Sequence, residues 1–302
     1  MRGRSRAWRG LASTAVCMYP NQVSPSTRTF CCRLLLCGGF AGPAGYVAYI
    51  SAVAIHELLG HGVTAWLLGG TFEGFALMPD GMGWAASSAP GHENIVLAGD
   101  VVAGVLFGTV LLWLAFRLVH PLARMTCLLF AFCSLVDATP YAFWNSVFPR
   151  PPGDFGRILL DLQLEWVRWT FVVAFGSAYL AATVGCNIAI FRCFESILGR
   201  LTKLQAIVLA WAFFGLVEGI AWFGFAWNQV IQDVGRLPQF VGAGLQLAIA
   251  PVLVAIRKKE LDAVKVSSRC WTVSIASAWL AAGLLVVVLL FWLQHGVYWG
   301  DG

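Results

Sequence analysis

Long apolar runs recur along the whole of this chain, and no other feature restricts its folding so tightly. They lie at about 44–69, 94–119, 122–147, 167–193, 205–227, 237–256 and 270–294. A helix needs ~20 apolar residues to cross a hydrocarbon core of ~30 Å, and each run meets or approaches that length. Composition agrees. Of the 302 residues 59% are hydrophobic and only 12% charged, and the mean hydropathy is +0.75. A soluble domain carries about 25% charged residues, and a disordered chain needs more charge still. Both classes are excluded. The expected fold is all-α: a polytopic integral membrane protein of about seven transmembrane helices in a lipid bilayer.

The basic residues orient those helices. The net charge is +5, and in membrane proteins Lys and Arg collect beside the inner ends of spans. Sixteen of the twenty Lys and Arg fall in 1–33, 117–124, 192–203 and 257–269; Arg150, Arg157, Arg168 and Arg236 make up the rest. That asymmetry predicts seven spans, with the N-terminus inside and the C-terminus outside. Residues 1–33 hold Arg2, Arg4, Arg6, Arg9, Arg28 and Arg33, with no acidic residue before Glu57. The segment reads as a basic tail or an organellar transit peptide. Gly38, Gly39, Gly42 and Pro43 predict a helical break, so residues 30–43 are expected to form a lead-in rather than part of the first span.

A nucleic-acid binder would show a basic face with interleaved aromatics, and none occurs here. Nine cysteines without a CxxC pair, mostly in apolar runs, argue against a disulfide framework or a thiolate metal site. Cys31, Cys32 and Cys37 are candidate acylation sites or simply small buried residues.

Chemistry concentrates in the first span, which contains His56-Glu57-Leu58-Leu59-Gly60-His61. Ionisable groups at mid-bilayer cost ~3 kcal/mol each even on lenient scales, so they are kept beside a partner, a cavity or a metal. Two imidazoles with an adjoining Glu follow the logic of HExxH sites. There two His bind Zn²⁺ and the Glu is the general base towards zinc-bound water. Here, however, the histidines are five apart. On a regular α-helix positions five apart are turned by about 140°, which two ligands of one ion cannot tolerate. A π-turn brings both back to one face, and Gly60 eases it. A π-bulge or local break is therefore predicted at 56–61.

The stretch from His56 onward resembles the site-2 protease family of intramembrane zinc metalloproteases, especially its small multi-span branch. The motifs are HELLGH-GVTAWLLGG, the Gly-rich stretch Phe72–Trp84, Ala98-Gly99-Asp100, and Asn145 followed by Pro149, Pro151, Pro152, Gly153, Asp154, Phe155, Gly156 and Arg157. The likeness covers about residues 44–160. By that resemblance His56, His61 and Asp154 hold Zn²⁺, Glu57 is catalytic, and Asn145 holds substrate backbone. Pro149, Pro151 and Pro152 are expected to keep Asp154 on extended chain. The pattern departs from the family in three places. HELLGH has one residue more than HELGH, Phe155 follows the Asp, and Asp100 replaces a Pro. HELLGH is also similar to the zinc hexapeptide of dipeptidyl peptidase III.

Asp137 is a rival third ligand, because Pro140 could kink its helix towards the histidines, and Asp100 is a candidate partner of a ligand. Asn187 and Glu218 read as helix–helix hydrogen-bonding groups, and His92, His120 and His295 as interfacial groups. Five His cannot furnish a multi-box diiron site. Family sites open towards the cytosol, whereas the charge asymmetry puts this one in the outer half. The two agree only if this branch is inverted or residues 30–53 form an extra hairpin.

The expected organisation is a tail and lead-in at 1–43, a three-helix metalloprotease-like core at 44–160, and four further transmembrane helices of unassigned role at 161–302. The expected activity is hydrolysis of peptide bonds in or near transmembrane segments of membrane-protein substrates, with a multi-pass location in a bacterial-type inner or plasma membrane. The alternatives are a non-catalytic protein on the same scaffold that binds a membrane partner, and a transporter using Asp100, Asp137 and Glu218. The transporter reading lacks an inverted repeat.

Overall fold

A computed structural model describes residues 27–78, 83–149, 154–198 and 273–299. It is mostly helical. Helix α1 (Thr27–Ile55) passes directly into a π-helical segment (His56–Val63) and then α2 (Thr64–Leu67). The chain continues through strands β1 (Thr71–Leu77) and β2 (Gly83–Ser88), then helices α3 (Glu93–Arg117), α4 (Pro121–Val147), α5 (Asp154–Leu162) and α6 (Glu165–Leu198). Helix α7 (Val273–Leu293) and strand β3 (Val297–Tyr298) close the described part.

Three of these helices are long and apolar enough to cross a membrane: α3, α4 from Leu122 to Val147, and α6 from Glu165 to Phe194. They coincide with the second, third and fourth expected spans. The apolar part of α7 from Ser277 to Leu293 is shorter. The spans expected at 205–227 and 237–256 lie outside the described residues, as does Glu218.

Two expectations about the first span are corrected. The predicted break at Gly38–Pro43 does not occur, and 30–53 form no hairpin, because α1 runs unbroken from Thr27 to Ile55 with Pro43 inside it. A membrane helix tolerates an internal Pro when neighbouring helices pack around it. Here a Cβ added to Gly283 of α7 would lie 3.2 Å from the Pro43 ring, so the two helices meet at a glycine–proline contact. Phe40, Ala41, Ala44 and Ala48 are buried on α1 against Met125, Leu128, Leu129 and Phe132 of α4. Cys186, Ile190 and Phe194 of α6 join the same core.

The expected helical fold is present, with one small sheet added to it. A three-stranded antiparallel sheet in the order β2-β1-β3 sits where the Gly-rich stretch was expected. Thr71 pairs with Ser88 and Leu77 with Gly83, and the register slips between Phe72 and Gly74. Residues 297–299 fasten this sheet. Gly74 and Phe75 pair with Tyr298 and Val297. The Trp299 indole N–H donates to the Phe72 carbonyl at 2.7 Å, and its backbone N–H to the Glu73 carbonyl at 2.9 Å.

Small residues govern the helix crossings, as in other membrane bundles. Gly104 and Gly108 of α3 lie against Ala138 and Leu135 of α4. Gly60 in the π-helical segment lies against the backbone of Asp100, and Gly99 against the Gly60 carbonyl and Thr64. At the far end of α4, the Arg168 guanidinium of α6 donates to the carbonyls of Ser146 (2.9 Å) and Val147 (2.8 Å). A residue counted only as an outer charge thus satisfies orphan carbonyls of a helix C-terminus. Asn187 is buried with no hydrogen-bond partner for its amide among the described residues.

Candidate metal centre

The site assembles at the end of the bundle where α1 and α4 finish and α3 begins. His56 opens the π-helical segment and His61 lies within it, as the five-residue spacing demands. The wide turn puts both imidazoles on one face, with ring centroids 5.2 Å apart. The Thr64 hydroxyl donates to the Leu59 carbonyl five residues back at 3.3 Å, tying the end of the wide turn to the regular helix that follows.

Each ring has an oxygen atom facing its second nitrogen. His61 Nδ1 faces the Val96 carbonyl of α3 at 3.3 Å; with the proton on Nδ1, Nε2 offers its lone pair to the site. His56 Nδ1 faces Asp137 Oδ2 of α4 at 4.0 Å, and the Tyr141 ring stands edge-on to His56 at 5.8 Å. Metal-binding histidines are commonly oriented through their second nitrogen in this way.

The two Nε2 atoms converge on carboxylates. His61 Nε2 lies 3.3 Å from Asp154 Oδ2, and His56 Nε2 lies 4.0 Å from the same oxygen and 3.5 Å from Asp100 Oδ2. Ligand atoms at ~2.0–2.1 Å on a tetrahedral Zn²⁺ are about 3.3 Å apart. One atom from each of His56, His61, Asp100 and Asp154 lies within 4.8 Å of every other. The donor set is imidazole and carboxylate, which Zn²⁺ accepts, so the residues fit the metal.

Asp154 reaches the cluster differently from the expectation. It is the first residue of α5, not part of an extended chain. Phe155, Ile158 and Leu159 bury the inner face of α5, and Phe155 packs edge-on against Phe171 and Phe175 of α6. A helix start suits a carboxylate, since the dipole there favours negative charge. The Asp154 backbone N–H donates to the Tyr141 hydroxyl at 2.8 Å, and that hydroxyl lies 3.3 Å from Asp154 Oδ2. Burial pushes the Asp154 carboxyl up, but the hydrogen bond and charge of His61, the charge of His56 and the Tyr141 hydroxyl together outweigh it and hold the carboxyl below its ordinary range.

Glu57 is buried beside this group. Gly83 of β2 covers it so closely that an added Cβ would sit 2.8 Å from Glu57 Cγ and 2.9 Å from its Oε1. Asn145 stands one turn past Tyr141, with its amide N–H donating to the Tyr141 carbonyl at 2.8 Å. Asp137 lies behind His56 and outside the four-residue group.

Sequence reasoning missed Tyr141, Val96 and the covering strand. Tyr141 was legible as the middle of Asp137, Tyr141 and Asn145, which recur every four residues on one helix face. Val96 acts through its backbone carbonyl and leaves no sequence signal.

No curated protein and no solved structure matches this chain. Residues 32–144 match a family model described as Peptidase M50B-like. Over that segment, which includes the π-helical turn, the hairpin, α3 and most of α4, the chain matches the site-2 protease family.

Proposed function

We propose that this chain is an intramembrane zinc metalloprotease that hydrolyses peptide bonds in or near transmembrane segments of membrane-protein substrates. The carrying observation is the π-helical turn. It sets His56 and His61 on one face with Asp154 against them, and the turn itself, though not Asp154, lies inside residues 32–144, the part of the chain matched to the peptidase family. His56, His61 and Asp154 would hold the ion, and a bound zinc ion supplies an acidified water and a Lewis acid for a scissile carbonyl. Glu57 would accept a proton on its carboxylate and return it to the leaving amine. Gly83 packs closely on Glu57, and Asn145 would steady substrate backbone. Seven spans, N-terminus inside and C-terminus outside, in a bacterial-type inner or plasma membrane, complete the proposal.

A specific observation favours a second reading, the non-catalytic scaffold. Asp100 stands where the resembling family has Pro, and its carboxylate joins the donor group.

The test uses protein reconstituted in lipid with a panel of single-span peptides carrying Gly, Pro or Asn mid-span, and cleavage read by mass spectrometry. Wild type is expected to cleave at least one peptide. Glu57→Gln is expected to keep zinc and fold while losing about 100-fold or more of the rate, the usual share of a general base. Undiminished cleavage by that variant would reject Glu57 as the base. A zinc-loaded wild type that cleaves nothing in the panel would favour the scaffold reading.

A further inference from the structure

Asp100 is the most deeply buried charged residue of the site, with no solvent exposure at all. Its Oδ1 accepts from the Val101 backbone N–H. Its Oδ2 has no hydrogen-bond partner among the described residues. A buried carboxylate oxygen left alone in a membrane protein is costly, so its surroundings must offer something. His56 Nε2 faces it at 3.5 Å, beyond the usual hydrogen-bond mode of ~2.9 Å. That separation is close to the ~3.3 Å between two ligands of one tetrahedral zinc.

The backbone explains why the oxygen is held there. Gly60 allows α3 to touch the π-helical turn at Asp100 itself. The carboxylate therefore projects from a point where two helices are locked, with little freedom to turn away. The cluster also needs charge balance. Two neutral imidazoles and one carboxylate leave a divalent ion with a net +1 inside the bundle. Two carboxylates cancel it without recruiting Glu57, and buried charge is tolerated when it is compensated.

We propose that Asp100 Oδ2 is a fourth protein ligand, so that the resting centre is a closed His₂Asp₂ set rather than the open three-ligand set of a catalytic zinc site. This rests on the metal reading above and deepens it. Four protein donors are the mark of structural zinc, and three with an open position the mark of catalytic zinc. Asp100 thus decides which kind of site this is. Release of its carboxylate is the condition for the fourth position to accept solvent or substrate.

The test is spectroscopic and needs no substrate. Full-length protein in detergent is loaded with Co²⁺ and titrated with azide while the visible ligand-field bands are followed, for wild type, Asp100→Asn and Asp100→Ser. Asn is nearly isosteric and keeps the Gly60 contact. The expected result is a wild-type spectrum indifferent to azide, and variants whose bands shift at azide concentrations at least tenfold lower than any that affect wild type. If the variants fold but take up no Co²⁺, the indifference of the wild type carries the test, since a three-ligand centre would answer to azide. Wild-type bands that shift with azide at the same concentration as the variants would overturn Asp100 as a ligand and leave the His56, His61 and Asp154 set standing. A wild type that binds no Co²⁺ would overturn both.

Discussion

Replacing Gly60 by Ala adds one methyl group at the point where the metal centre is built. The added Cβ would meet the Asp100 backbone, lying 2.8 Å from its N and 3.1 Å from its Cβ, and closer still to its Cα. Ordinary carbon contacts begin at about 3.5 Å, so α3 and the π-helical turn must part by an amount on the order of 1 Å. No rotamer change relieves this, because the obstacle is backbone. Overpacking of this kind costs about 1–3 kcal/mol. The same displacement draws Asp100 away from His56, and Val96 away from His61. Metal sites tolerate ligand shifts of only about 0.2 Å, so zinc affinity should fall at least tenfold, which is about 1.4 kcal/mol. Thermal unfolding in detergent and competition with a chromophoric zinc chelator would read the two effects separately. A Gly60→Ala protein with wild-type stability and wild-type zinc affinity would refute the claim that this crossing sets the site.

Two further substitutions probe its parts. Deleting Leu59, which is exposed, restores a four-residue spacing. The histidines would then share a face on a regular α-helix, so zinc affinity should stay within tenfold of wild type by chelator competition; a folded deletion protein without zinc would show that the π-helical geometry itself is required. Tyr141→Phe keeps the ring against His56 but removes the hydroxyl that bridges the Asp154 N–H and carboxylate. Zinc affinity should drop about 10–100-fold, as for other groups that orient a ligand, and an unchanged affinity would remove Tyr141 from the account.

Some of this architecture could be read from residue order alone. The five-residue spacing of His56 and His61 implied a π-turn, because helix geometry permits no other way for one straight segment to aim both rings together. The limits of α3, α4 and α6 followed from hydropathy to within a few residues. Other features were legible but misread. Pro79-Asp80-Gly81 between Phe72–Leu77 and Trp84 is turn chemistry, and the flanking residues pair as antiparallel strands within an otherwise helical chain. Pro43 breaks a helix in water, but inside a bundle a neighbouring helix packs against its ring. Asp154 was placed on extended chain by its upstream prolines, whereas the burial of Phe155, Ile158 and Leu159 makes the following residues an amphipathic helix that begins at the ligand itself. The pairing of β3 with β1 and the Arg168 cap on α4 join residues far apart in sequence, and no local pattern announces either.

Metal stoichiometry tests the central claim most directly. Elemental analysis of detergent-purified protein, wild type beside His56→Ala and Asp154→Ala, is expected to give about one zinc per chain in the wild type and a marked loss in both variants, each folded by circular dichroism. A well-folded wild type without metal, or variants that keep a full equivalent, would contradict the assignment of His56, His61 and Asp154 as its ligands.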